Sequence, residues 1–71
     1  MASFKPKEVV KILEKLGFSS KRQTGSHLIM YHSGKQKIIP VPIHGKDVKK
    51  GLLNAIIKQS GSTEEEFIKL K

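Results

Sequence analysis

The chain opens with an amphipathic helical pattern over residues 5–16. Its apolar positions recur three or four residues apart, at Val9, Ile12, Leu13 and Leu16. Such spacing places one apolar stripe along a helix. Pro6 suits the first turn, where its missing N–H costs nothing, and Gly17 can adopt the left-handed backbone that ends a helix.

The middle of the chain has the pattern of three short strands. Residues 18–24 are polar and predict an edge strand, whereas residues 27–32 are rich in Ile, Leu, Met and Tyr. Residues 37–43 alternate apolar side chains with Pro40 and Pro42. Because proline donates no ladder hydrogen bond, this third strand is predicted at an edge of the sheet.

A second long helix is predicted to begin between residues 45 and 47 and to end at Ser60. One side of it carries Val48, Leu52, Ala55, Ile56 and Gln59, with Leu53 and Ile57 widening the stripe. A shorter helix over residues 64–70 can dock Phe67 and Leu70 on the rest of the chain.

The order of these elements predicts an α+β fold of two layers. One domain over residues 1–71 would pack its helices on one face of a three-stranded antiparallel sheet. Double-stranded-RNA-binding domains share this αβββα order and place lysines near the start of their last helix against phosphates. Lys46, Lys49 and Lys50 occupy the corresponding place.

The net charge of the chain gives information about its partner. Fourteen Lys and Arg face six Asp and Glu, a net charge of +8, and three of the six acids are consecutive at residues 64–66. Such a field attracts nucleic acid through counterion release, although a solubilising lysine coat is the simpler alternative. The long apolar run of a membrane span is missing, and the absence of cysteine fits a reducing cytoplasm.

The three histidines are the groups that titrate near neutral pH. His27 and His32 should point to opposite faces of a strand, and no Asp or Glu occurs between Glu14 and Asp47. Both observations argue against a metal site. A nucleophile–base pair of Ser26 with His27 is also disfavoured, because adjacent strand residues point apart and no acid is near to orient the imidazole.

RNA cleavage requires fewer protein groups than these sites do, because RNA carries its own nucleophile, the 2′-hydroxyl. An imidazole at His27 can take that proton as a general base, while Lys21 and Arg22 on the neighbouring strand stabilise phosphoryl charge. Gly25 has no side chain, so a backbone can approach it closely. The alternative is that His27 is only a strand histidine.

Four segments together resemble the HicA toxin family, also described as YcfA-like. They are Gly25-Ser26-His27, Pro42-Ile43-His44, residues 46–51 and Ile56-Ile57-Lys58-Gln59-Ser60-Gly61. The resemblance implies a fold like that of double-stranded-RNA-binding domains and a metal-independent mRNA interferase of a type II toxin–antitoxin pair. It implies His27 as the catalytic residue, no cofactor, and a HicB antitoxin that masks the active surface.

The predicted site therefore centres on His27 and binds RNA through the following residues: Lys21, Arg22, Gly25, Ser26, Lys46, Lys49 and Lys50. We expect the five basic side chains to form one surface around His27. Ser26 can bind a phosphate or only cap local backbone. His44 is expected to order the loop before the second helix, and His32 to be solvated.

Two positions depart from the family pattern. Leu52 follows Gly51 where threonine is frequent, and Tyr31 stands where family members often carry Arg or Lys. Tyr31 can stack on a base, or it can pack against a partner or the core. The rival functions are a non-catalytic double-stranded-RNA-binding module and a sheet face that binds only a protein partner through Ile29, Tyr31 and Ile38.

Overall fold

A computed structural model describes residues 3–71, so Met1 and Ala2 of the predicted domain lie outside the described residues. The elements are α1 (Pro6–Lys15), β1 (Ser19–Thr24), β2 (His27–His32), β3 (Lys37–Pro42), α2 (Lys50–Ser60) and α3 (Glu64–Leu70). The predicted αβββα order and the short terminal helix are confirmed, and the fold is α+β. Within residues 3–71, the structure has no helix of the length and apolar character that crossing a membrane requires.

The sheet is antiparallel in the order β1-β2-β3, which makes β3 an edge strand as predicted. The backbone N–H of Ile43, just past β3, donates to the Ser26 carbonyl at 2.8 Å. Odd-numbered N–H groups of β3 therefore point toward β2. The nitrogens of Pro40 and Pro42 point toward the open edge, where a missing donor leaves the ladder intact.

Only one face of the sheet is buried. Met30, Ile39 and Val41 have no solvent exposure and pack against the helices. Their neighbours along β2 and β3, which point the other way, are exposed or half-buried. Because side chains alternate along a strand, the sheet has an inner face in the core and an outer face in contact with solvent.

The two ends of the chain close over the core. The buried rings of Phe4 and Phe67 meet edge to face with centroids 6.1 Å apart. Lys71 Nζ donates to the Ser3 carbonyl at 2.7 Å, and Lys15 Nζ donates to the Leu70 carbonyl at 3.0 Å. These contacts hold α3 against α1 and complete the layer of helices.

The predicted start of α2 is wrong by several residues. α2 begins at Lys50, and Lys49 before it has an extended backbone with φ −61° and ψ 145°. The Val48 N–H donates to the Phe4 carbonyl at 2.8 Å, so the segment before α2 is held by the extended residues that precede α1. This bond occupies the backbone that the sequence pattern assigned to a first helical turn.

The predicted apolar stripe of α2 is also shifted. The buried side is formed by Leu53, Ile56, Ile57 and Ser60. Leu52, Ala55 and Gln59, which we expected on that side, are exposed. Leu53 and Ile57, which were expected only to widen the stripe, belong to the buried side together with Ile56.

His32 is packed rather than solvated, contrary to expectation. Its ring meets Phe18 edge to face with centroids 5.1 Å apart, and its Nδ1 accepts the Lys35 N–H at 3.1 Å. Gly17 adopts φ +99°, and a Cβ there would lie 2.8 Å from His32 Nε2. The ring therefore fills the space that Gly17 leaves open at the end of α1.

Gly17→Ala is expected to lower the free energy of unfolding by about 2 to 5 kcal/mol, combining left-handed strain with overpacking against His32. Gly45→Ala is the matched control, because Gly45 has φ +93° but nothing within 4 Å of its Cβ position. It should lose only about 1 to 2 kcal/mol. Urea unfolding of both variants measures the difference, and equal losses would show that the contact with His32 has no energetic weight.

Candidate nucleic-acid interface

A tight hairpin turn presents His27. Thr24 pairs with His27 across β1 and β2, so Gly25 and Ser26 alone make the turn. Gly25 has φ +54°, whereas Ser26 keeps a negative φ, which is the pattern of a type II′ turn with glycine first. The turn directs the His27 side chain to the outer face at the end of β2, where it is exposed.

The Ser26 hydroxyl contacts the imidazole, which corrects the expectation that the two side chains point apart. Ser26 Oγ lies 3.3 Å from His27 Nδ1. Ser26 belongs to the turn and not to β2, so strand alternation does not apply to it. A hydroxyl can accept from an Nδ1–H, and that tautomer leaves Nε2 with the lone pair that a general base needs. This contact orients the ring through one neutral hydrogen bond.

The segment before α2 is tied to this turn. The hydrogen bond from the Ile43 N–H to the Ser26 carbonyl places the start of the segment beside the turn that carries His27. The predicted lysines follow along it: Lys46 lies on a bend, Lys49 directly precedes α2, and Lys50 is its first residue. All three side chains are exposed.

Sequence reasoning missed two lysines on this side of the molecule. Lys5 and Lys7 line the same depression of about 490 Å³ as Lys46. Asp47, also in its lining, is the one acidic residue there. The sequence shows lysines on both sides of Pro6. It does not show that the loop before α2 folds against α1 and so brings these lysines close to Lys46.

Lys21 and Arg22 lie on the outer face of the sheet. The register of β1 against β2 slips between Ser20 and Arg22, so Lys21 is the extra residue of a bulge. Arg22 is opposite Ile29, and Lys21 Nζ lies 4.8 Å from the centroid of the Tyr31 ring. These two cations therefore share a sheet face with His27.

The predicted basic residues thus lie in two parts of the fold, and one continuous basic surface around His27 stays a prediction. Lys21 and Arg22 are on the outer face, and the other three lysines follow the segment joined to Ser26. Tyr31 is on the outer face and outside the core, so it does not pack in the core, whereas stacking on a base and packing against a partner both stay predictions.

The three histidines differ in their surroundings. His27 is on the outer face, His32 packs on Phe18 at the inner face, and His44 is exposed on the bend after β3, two residues past the partner of His27. Across residues 3–71, no group of three His, Asp or Glu side chains is arranged to hold a metal ion. His27 is an exposed imidazole on the sheet face that also carries Lys21 and Arg22.

Comparison with protein families gives one clear match. The family model described as HicA toxin of bacterial toxin–antitoxin matches residues 6–62, which covers α1, the whole sheet and α2. Comparison with curated proteins gives no match. The matched region contains every residue of the predicted site.

If the segment before α2 contacts phosphates, Lys49→Ala combined with Lys50→Ala should weaken RNA binding and reduce its salt dependence. Each lost contact with a single strand lowers the slope of log affinity against log salt by about 0.7, so the loss of two contacts should change it by at most about 1.4. Lys58→Ala with Lys69→Ala removes the same charge from the opposite ends of α2 and α3. Filter binding at several salt concentrations should show the larger change in the first pair, and equal slopes would remove this segment from the interface.

Proposed function

The chain belongs to the HicA toxin family of bacterial toxin–antitoxin systems, and from that premise we propose that it is a metal-independent endoribonuclease that cleaves mRNA with His27. The observation that carries the proposal is the exposed imidazole of His27 beside a two-residue turn, with Lys21 and Arg22 on the same sheet face and the lysine-bearing segment before α2 bonded to that turn. A base that must reach an RNA hydroxyl has to be accessible, and His27 is.

The chemistry starts at the 2′-oxygen of the nucleotide before the scissile phosphate. His27 Nε2 takes the 2′-hydroxyl proton while the oxygen attacks phosphorus, and the bond from phosphorus to the 5′-oxygen breaks. The leaving 5′-oxygen takes a proton from the imidazolium or from water. The products are a 2′,3′-cyclic phosphate and a 5′-hydroxyl, and neither a metal nor an external nucleophile is consumed.

The basic residues supply binding and charge stabilisation. Lys21 and Arg22 from the outer face, and Lys46, Lys49 and Lys50 from the segment before α2, can contact phosphates on the two sides of the cut. Lysine and arginine near the reacting phosphate stabilise the negative charge that grows on its oxygens. Gly25 lets the RNA backbone approach the turn, because a Cβ built there meets nothing within 4 Å.

The same surface fits control by an antitoxin. Membership of the family implies a partner protein, and we propose a HicB-like antitoxin that covers His27 and so keeps RNA away from it. The net charge of +8 favours a partner with an acidic contact surface. We propose that this activity takes place in the cytoplasm, because the proposed substrate, mRNA, is found there. The absence of cysteine fits a reducing compartment.

His27→Ala should lose RNA cleavage by about 100- to 10,000-fold, the usual value of general acid–base catalysis. RNA binding should remain, because the lysines and Arg22 are unchanged, and the circular dichroism spectrum should match that of the parent. Cleavage of one labelled transcript in excess EDTA, with the parent and the variant side by side, measures both the role of His27 and the independence from metal.

Ser26→Ala is the comparison for this experiment. It removes only the hydroxyl that contacts Nδ1, and one neutral hydrogen bond of about 0.5 to 1.5 kcal/mol corresponds to a loss of about 2- to 10-fold. Should His27→Ala fold, bind and still cut like the parent, the catalytic assignment is wrong. A parent protein that binds RNA and never cuts it would support the non-catalytic RNA-binding module.

A further inference from the structure

We propose that the outer face of the sheet binds unpaired RNA and that Tyr31 stacks on a base of the strand that His27 cuts. The inference rests on the proposed ribonuclease function and deepens it, because it names the substrate as single-stranded at and beside the scissile bond. It also gives a role to the tyrosine that stands where the family pattern has a cation.

The spacing along β2 supports one continuous path for the strand. His27, Ile29 and Tyr31 alternate with the buried side of β2 and so share the outer face. Four residues of strand separate His27 from Tyr31 by about 13 Å, at about 3.3 Å per residue. A stacked nucleic-acid strand rises about 3.4 Å per nucleotide, so Tyr31 lies within about four nucleotides of the cut.

The surroundings of Tyr31 leave its ring available to a base. Its partner across β3 is Ile38, which is 56% exposed, and its partner across β1 is Ser19. The ring contacts Lys21 Nζ at 4.8 Å from its centroid. An incoming base can take the place of the ammonium on the ring, and the ammonium can then pair with the phosphate of the same nucleotide.

The charge of the outer face fits RNA. A depression of about 430 Å³ on this face is lined by Lys21, Arg22, Ile29 and Ile38. Two of these residues adjoin Tyr31: Ile38 is its partner on β3, and Lys21 Nζ lies over its ring. No Asp or Glu occurs between Glu14 and Asp47, so none of the three strands brings a carboxylate to this face. Apolar and aromatic side chains between cations are the surface that binds bases and backbone of single strands.

A duplex cannot use this face in the same way. Its bases are stacked on one another inside the helix, so a ring on a sheet surface reaches only backbone and groove edges. Stacking on Tyr31 therefore requires an unpaired nucleotide. Duplex RNA would contact the lysines before α2 and leave Tyr31 unoccupied.

Tyr31 itself provides the measurement, because it is the one tyrosine in a chain without tryptophan. Tyrosine fluorescence of the His27→Ala protein, which does not consume the RNA, should be quenched on titration with a short single-stranded oligonucleotide. A hairpin duplex of related sequence should bind with little quenching. This titration uses the folded protein with its tyrosine intact, so it does not depend on how well a Tyr31 variant folds.

Substitution provides the second measurement. In the His27→Ala background, Tyr31→Ala should weaken single-strand binding by about 5- to 150-fold, the value of one stacked base, and should leave duplex binding unchanged. Tyr31→Phe keeps the ring and should bind like the parent. Ile68→Ala, which trims a side chain 48% exposed on α3, is the control for loss of surface apolar area.

Several results would overturn the inference. In the fluorescence titration, these are an absence of quenching by bound single strands or equal quenching by duplex. In the binding measurement, they are a loss of affinity in Tyr31→Phe as large as in Tyr31→Ala, or a Tyr31→Ala protein that binds RNA normally but loses a protein partner. The outcome is separable from that of the proposed function. Quenching by single strands together with undiminished cleavage by His27→Ala would reject His27 as the base and retain the stacking site.

Discussion

One-sided burial of the three-stranded sheet is the constraint on which the other features depend. The helices cover one face of the sheet. On that face, the side chains of Met30, Ile39 and Val41 have no solvent exposure. Strand alternation then sends the other half of each strand to solvent. For this reason His27 and Tyr31 share the solvent-facing surface of the sheet. Polar and aromatic side chains at these positions do not disturb the packing of the core.

A single backbone hydrogen bond sets where the second cationic surface lies. The Ile43 N–H to Ser26 carbonyl bond joins the end of β3 to the turn before β2, so the segment that carries the following lysines begins beside the turn that bears His27. The bond from the Val48 N–H to the Phe4 carbonyl fixes the other end of the same segment. The seven residues 43–49, which include both anchors, cross from the sheet to α2 without regular structure, and the exposed side chains of Lys46 and Lys49 lie on this segment.

Much of the fold could be predicted from local patterns. Helical spacing from Val9 to Leu16, the apolar composition of residues 27–32 and the alternation of residues 37–43 are properties of short segments, and each segment adopts the structure that its pattern indicates. The opposite orientation of His27 and His32 follows from strand parity alone. The placement of β3 at an edge follows from Pro40 and Pro42 for the same local reason.

The errors share a different physical origin, which is contact between residues distant in sequence. α2 starts late because Val48 bonds to Phe4, and no window around Val48 contains that partner. His32 is packed because Gly17 leaves room for it, and Lys5 joins Lys46 because the loop folds against α1. The contact of Ser26 with Nδ1 depended on the turn geometry, which strand alternation could not supply.

In the proposed mechanism the RNA provides the nucleophile and the protein provides one imidazole. A transcript with a single 2′-O-methyl group at the mapped cleavage site distinguishes this mechanism from attack by water, with an unmodified transcript as control and with analysis of the product ends. We expect the modified site to resist cutting while neighbouring sites are unaffected, and the control to yield a 2′,3′-cyclic phosphate and a 5′-hydroxyl. Cleavage of the modified site, or products with a 5′-phosphate, would contradict it, because water and not the 2′-hydroxyl would then be the nucleophile.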